Sequence, residues 1–293
     1  MHGVILINKP EALRSTTCLN MLKRKFHKTK IGHSGTLDST ASGLLVVLLG
    51  NATRLSDYVM SLEKIYRVEI QFGAETDTCD YSGNITRTCD CKFLNQAKIH
   101  DAIYKFLGHR LQRPPEISAV KINGKSAHLL ARSGQEIMLS KRPVFFKNIR
   151  LISELDENKI AKFEITCSKG TYIRSFARDF ARSMNCAGFV KSLSRIAIGN
   201  LTLEQAQAPD SDLRVMSLES LLENFQRVKI NRESERKFFN GLAIPLENSA
   251  IINSHVTSSL ANLVCVDNEN FAGFGEIILH ENILKPVTII PLT

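Results

Sequence analysis

The chain has 293 residues, enough for one large domain or for a large domain with a small companion. Hydrophobic residues make up 43% and charged residues 23%, an ordinary globular balance, and no apolar run reaches the length of a membrane span, so no membrane partner is expected. The formal charge of +9 favours a polyanionic partner, although many basic proteins bind no nucleic acid.

Gly3-Val4-Ile5-Leu6-Ile7-Asn8 is a short apolar stretch closed by the turn signal Lys9-Pro10, and it reads as a first strand rather than a signal peptide. The basic run 23–30 follows. On charge alone it is as well explained by a solvated helix end as by a phosphate-contacting flank. Residues 32–45, G-H-S-G-T-L-D-S-T-A-S-G-L-L, gather glycines and small hydroxyl residues around one carboxylate, Asp38, with His33 upstream. Such a stretch lets the backbone turn tightly and a ligand approach closely.

From Tyr66 the pattern alternates, with Tyr66, Val68, Ile70 and Phe72 on the apolar side of a half-buried strand. Asn95 is placed to cap a helix bearing Ile99, Ile103, Phe106 and Leu107, which Gly108 stops. Arg113-Pro114-Pro115 breaks the chain, and the stretch to Gly134 reads as loop and short helix carrying Lys121, Lys125 and Arg132. Strands are expected near 144–152 and 160–167. Ile173, Phe176, Ala177, Phe180, Ala181 and Met184 then trace one helical stripe. Composition shifts over 209–228, and the short apolar stretches beyond it predict a small β-rich module.

The seven cysteines are odd in number and scattered, which points to free thiols in a reducing compartment and so to the cytoplasm. Cys89-Asp90-Cys91 after Cys79 does not have zinc-ligand spacing.

Asp38 alone is ambiguous. Asp before Ser39-Thr40-Ala41 makes a good helix N-cap, which is the commoner role. A phosphate loop lacks its Gly-Lys-Ser/Thr ending, and a metal site has only His33 close by.

Several blocks in order change that reading. The segment 32–45 resembles the signature G-H-x-G-T-L-D-P-x-A-x-G-V-L of the TruB-type tRNA pseudouridine synthases, and it runs into Gly50-Asn51-Ala52-Thr53-Arg54, similar to G-x-A-T-K. Lys64-Ile65-Tyr66 resembles K-x-Y. Arg113-Pro114-Pro115-Glu116-Ile117-Ser118-Ala119-Val120-Lys121 resembles Q-x-P-P-x-x-S-A-x-K. Lys169-Gly170-Thr171-Tyr172-Ile173-Arg174-Ser175 is similar to K-G-T-Y-I-R-S/T, and Leu193-Ser194-Arg195 stands where the family has L-R-R. The likeness covers about Gly3 to Ala206.

The resemblance implies an α+β pseudouridine synthase fold with a mixed central β-sheet at 1–228, followed by a PUA-like RNA-binding module at 229–293. The implied reaction converts uridine 55 in the T loop of tRNA to pseudouridine. That isomerisation is redox-neutral, so no cofactor or metal is expected. Asp38 is the implied catalytic carboxylate, by attack on the anomeric carbon or by removal of a sugar proton. Arg174 is its implied partner, since a guanidinium favours the ionised acid. Tyr172, two residues earlier, would share its face if the backbone were extended. Tyr66 is implied to stack on the extruded base, His33 to line the site against the everted loop, and Leu193 to wall the base. The implied partner is the T-stem loop of tRNA, bound by a monomer.

Four departures stand out. Ser39 replaces the usual Pro. Lys9-Pro10-Glu11-Ala12-Leu13-Arg14-Ser15 loses the Gly and Thr of K-P-x-G-x-T-S. Arg113 is read in place of Gln, and His128 in place of a common Tyr. Two rival readings are a tRNA-binding folding aid with dispensable catalysis and a guide-directed ribosomal RNA pseudouridine synthase. The short N-terminus and lack of a lysine-rich tail disfavour the second.

Overall fold

The computed structural model describes residues 1–118, 121–122, 125–126, 139–222, 225–251, 263–268 and 270–290. Strands β1 (Gly3–Lys9), β2 (Ile31–His33), β3 (Ser42–Leu49) and β4 (Lys64–Phe72) are followed by a hairpin of β5 (Ala74–Thr76) and β6 (Ile85–Thr88). Next come β7 (Gly108–Gln112), a small hairpin of β8 (Lys121–Ile122) and β9 (Lys125–Ser126), then β10 (Arg142–Ser153), β11 (Ile160–Cys167), β12 (Gly188–Ile198) and β13 (Leu201–Thr202). Nine of these strands form one sheet in the order β1-β3-β12-β4-β11-β10-β7, with β2 beside β3 and β13 beside β12. Its described pairings are antiparallel except β3 with β12, so the sheet is mixed as expected.

The apolar run 44–49 is explained by β3, which is buried on both faces. Leu44, Val46 and Leu48 enter one core, and Leu45, Val47 and Leu49 enter another beneath helix α1 (Ser15–Lys25). Helices α2 (Ser56–Ser61), α3 (Gln96–Phe106) and α4 (Ile173–Ser183) follow. Asn95 caps α3 by accepting from Lys98 N at 3.0 Å, as its spacing predicts. The stripe on α4 is buried with Val68, Ile70, Phe146 and Phe163 of the sheet, in the largest core of the molecule.

The C-terminal strands β14 (Gln226–Ile230), β15 (Ile244–Pro245), β16 (Ser249–Ile251), β17 (Leu263–Asn268), β18 (Asn270–Ile278) and β19 (Ile283–Ile289) form a second sheet in the order β15-β19-β18-β17-β14-β16. The β-rich expectation missed helix α5 (Arg232–Phe239), which Asn231 caps by accepting from Ser234 N at 2.8 Å. Strand β14 straddles the expected 228/229 boundary. This sheet shares a core with the first: Phe225, Phe274 and Ile290 pack with Val4, Leu44 and Tyr58. The Tyr58 ring stacks on Phe274 with centroids 4.2 Å apart, and Arg54 donates to Ile289 O at 2.6 Å. His128, Arg132 and the side chains of Lys121 and Lys125 lie outside the described residues.

Candidate active site

Asp38 lies in the turn between β2 and β3, and no helix begins there, so it is not a helix cap. Two neighbouring segments brace the turn. Ser15 Oγ at the start of α1 donates to Leu37 O at 2.7 Å and accepts from Leu37 N at 3.0 Å. Ala12 N donates to Ser39 O at 2.8 Å. Ala12 has φ +65°, the left-handed conformation that the family's glycine adopts without strain.

Arg174 reaches Asp38 from the first turn of α4. Its Nε donates to Asp38 Oδ2 at 2.8 Å, and its terminal nitrogens donate to Thr78 O at 2.9 Å and Ile117 O at 3.1 Å. The Arg174 side chain is 6% exposed and that of Asp38 44% exposed. A cation fixed by several acceptors thus holds an acid that still faces outward.

Tyr172 and Arg174 do not share an extended stretch, because α4 starts at Ile173. Tyr172 is the extended residue that precedes the helix, and the turn that follows swings Arg174 toward the acid. Burial first, with Asp38 contributing, raises the Tyr172 pKa and keeps the phenol neutral. Gln112 fixes this entry: its side-chain carbonyl accepts from Tyr172 N at 2.8 Å and its amide donates to Tyr172 O at 3.1 Å. The departure read at Arg113 is therefore corrected. Gln112-Arg113-Pro114-Pro115 carries Q-x-P-P intact, with Gln112 as the glutamine.

Tyr66 projects from β4 on the core side, opposite Arg195 of β12 in register. Burial raises its pKa, and the positive charge of the Arg195 guanidinium opposes the rise. Leu193 lies on the same side, opposite Val68, and packs partly buried against the main core. His33 on β2 is neutral at pH 7, its pKa lowered by burial and by Arg195. Its Nδ1 is buried with no hydrogen-bond partner among the described residues.

Four residues escaped the sequence reading. Buried Arg195 donates to Leu44 O at 2.8 Å and Gly35 O at 3.0 Å, tying β12 to the segment that carries Asp38. Buried Lys9 donates to Pro10 O at 2.8 Å and Leu13 O at 2.7 Å. Lys64, also buried, donates to Met60 O and to Leu62 O, and burial holds its pKa down to about 8. Each sits in a quoted block, and that was the available signal. The fourth, Asp80, lies in none. Its carboxylate is 3.9 Å from Arg174 Nε and accepts from Thr40, Thr78 and Ser82. The motif glycines serve the protein itself. A side chain on Gly43, at φ +106°, would meet Arg195 O at 2.3 Å, so glycine there admits β12 rather than a ligand.

Of two cavities of about 490 and 470 Å³, neither is lined by Asp38. Cys79, Arg113, Lys141 and Arg178 help line the first, and Ser42, Arg67, Leu193 and Ser194 the second. No described helix is long and apolar enough to cross a membrane.

A mixed sheet that sets one outward-facing carboxylate, Asp38, on one buried guanidinium, Arg174, defines a candidate acid-centred site. The sequence model of the "TruB family pseudouridylate synthase (N terminal domain)" matches residues 23–173. The chain is 32% identical over 293 residues to "tRNA pseudouridine synthase B" of Aquifex aeolicus, covering 98% of each. It is 38% identical over 248 residues to the protein of that name from Borreliella burgdorferi, covering 84% of this chain and 87% of the other. Its fold matches "Structure of H/ACA RNP bound to a substrate RNA containing 2'-deoxyuridine" with a TM-score of 0.73 at 17% identity, covering 99% of this chain and 85% of that one. The chain belongs to the TruB family of pseudouridylate synthases.

Proposed function

We propose that this protein isomerises uridine 55 in the T loop of tRNA to pseudouridine, acting as a monomer on the T-stem loop. The observation that carries the reading is the pairing of outward-facing Asp38 with buried Arg174 at 2.8 Å. The guanidinium holds the acid in place and aimed, as a nucleophile toward the sugar of an extruded nucleotide must be. Attack at the anomeric carbon breaks its bond to N1. The freed base turns, its carbon 5 bonds the anomeric carbon and displaces the Asp38 carboxylate, the proton on carbon 5 leaves and N1 takes up a proton. Atoms and electrons balance without a cofactor or metal.

Tyr66, opposite Arg195 in register, stacks on the base, and stacking offsets part of the cost of extrusion. Leu193 walls the base, Tyr172 flanks the nucleotide, and neutral His33 lines the site against the everted loop. The second sheet, from about Gln226 onward, serves as the PUA-like RNA-binding module. Identity of 32% to 38% with relatives named for tRNA favours tRNA as the substrate. Incubating the protein with an unmodified tRNA transcript and mapping pseudouridine chemically tests the proposal. Product confined to the T-loop position is expected. Bound but unconverted tRNA would sink it.

A further inference from the structure

We infer that Thr40 is a positioning residue: its hydroxyl keeps Arg174 on Asp38 by occupying the buried carboxylate of Asp80. The inference rests on the reading of Asp38 as the catalytic acid. Asp80 is 4% exposed, so each of its lone pairs needs a donor. Its Oδ1 accepts from Thr78 Oγ1 at 2.7 Å, Ser82 N at 3.0 Å and Ser82 Oγ at 2.6 Å. Its Oδ2 accepts from Thr40 Oγ1 at 3.0 Å and faces Arg174 Nε at 3.9 Å, beyond hydrogen-bond reach.

The Nε of Arg174 carries a single proton, and it is donated to Asp38. Two carboxylates therefore compete for one donor. Thr40 settles the contest by satisfying Asp80 with a neutral hydroxyl. Without that hydroxyl, Asp80 Oδ2 is a buried acceptor with the same Nε–H 3.9 Å away, and Arg174 shifts away from the reacting acid.

The residue types around this junction support the role. Ser39 stands where the family has a proline, so the position after Asp38 lacks a ring to fix its backbone. Thr40 occupies the variable position of G-T-L-D-P-x-A, and its bond to Asp80 anchors the turn two residues past the acid. Tyr81 adds a second tie by donating its hydroxyl to Glu11, while Tyr81 N donates to Val190 O at 3.0 Å in β12. The Asp80 turn is thus a fixed anchor from which Thr40 holds the catalytic turn.

The test compares Thr40→Val, which keeps the shape and removes the hydroxyl, with Thr40→Ser, which keeps the hydroxyl. Turnover on a tRNA transcript, transcript affinity and thermal unfolding are measured for each, with Asp38→Asn beside them. We expect kcat to fall roughly tenfold in Thr40→Val, with KM and affinity within about twofold, and Thr40→Ser to restore kcat. Unchanged kcat in Thr40→Val overturns the inference. So does a loss that Thr40→Ser fails to restore, or one that tracks lowered affinity and melting temperature. Turnover retained in Asp38→Asn would instead overturn the underlying reading of Asp38.

Discussion

Helix α4 joins two regions built of opposite materials. Its body is aromatic: Phe176 and Phe180 stack at 5.1 Å, and Phe106, Phe146 and Phe163 pack around them. Its first turn carries Arg174 into a junction of three loops, where the buried residues are charged or polar: Lys9, Asp80, Gln112, Arg174 and Arg195. The aromatic region gains from contact area and tolerates small shifts. The junction depends on every donor meeting its acceptor, because an unpaired buried charge costs several kcal/mol (about 3–5 when a partner is removed). Stability and catalysis are therefore separable along one helix, and substitutions on its two parts should fail in different ways.

The largest effect is expected from Arg174→Met. It leaves the Asp38 carboxylate and two backbone carbonyls without their common donor, and single-turnover assays should show a loss of at least about 10³-fold with folding retained. Retention of turnover within tenfold would break the comparison. Phe180→Ala should behave in the opposite way, lowering unfolding free energy by about 3–5 kcal/mol in denaturant titrations. Below its melting temperature its kcat should stay within about threefold of the parent's.

Lys64→Met sharpens the contrast through pH. Burial lowers the Lys64 pKa from 10.5 to about 8. Below pH 8 both folded and unfolded states bind the proton and the burial cost is felt in full. Between about 8 and 10.5 the unfolded state binds more protons, so stability rises with pH. The difference in unfolding free energy, parent minus Lys64→Met, should grow by about 3 kcal/mol across that window. A flat difference would mean that Lys64 is charged in the fold at no cost. The smallest effect belongs to Ala12→Gly, which relieves the left-handed backbone. It should stabilise by about 1 kcal/mol or less, since the unfolded chain also gains freedom, and turnover should not change.

The aromatic region was legible in the sequence and the junction only in part. Alternation from Tyr66 and the stripe from Ile173 to Met184 report which faces are buried, and the structure places β4 and α4 accordingly. Periodicity does not report which loops converge. Asp38 alone read more readily as a helix cap, and only the motif blocks pointed to its pairing with Arg174. Lys9, Lys64 and Arg195 belong to a residue class that is usually exposed, so their burial was invisible until backbone carbonyls were seen around them. Asp80 acquires meaning only from Thr40 and Arg174, which are distant in sequence. Helix α5 was hidden because its short amphipathic stretch lies among strand-like segments.

The most direct test of the central claim is Asp38→Asn, compared with the parent protein on one unmodified tRNA transcript. Phosphate contacts supply much of the affinity for nucleic acid, so binding should stay within a few-fold while T-loop pseudouridine falls to background. Pseudouridine formed by Asp38→Asn at the parental rate would contradict the account.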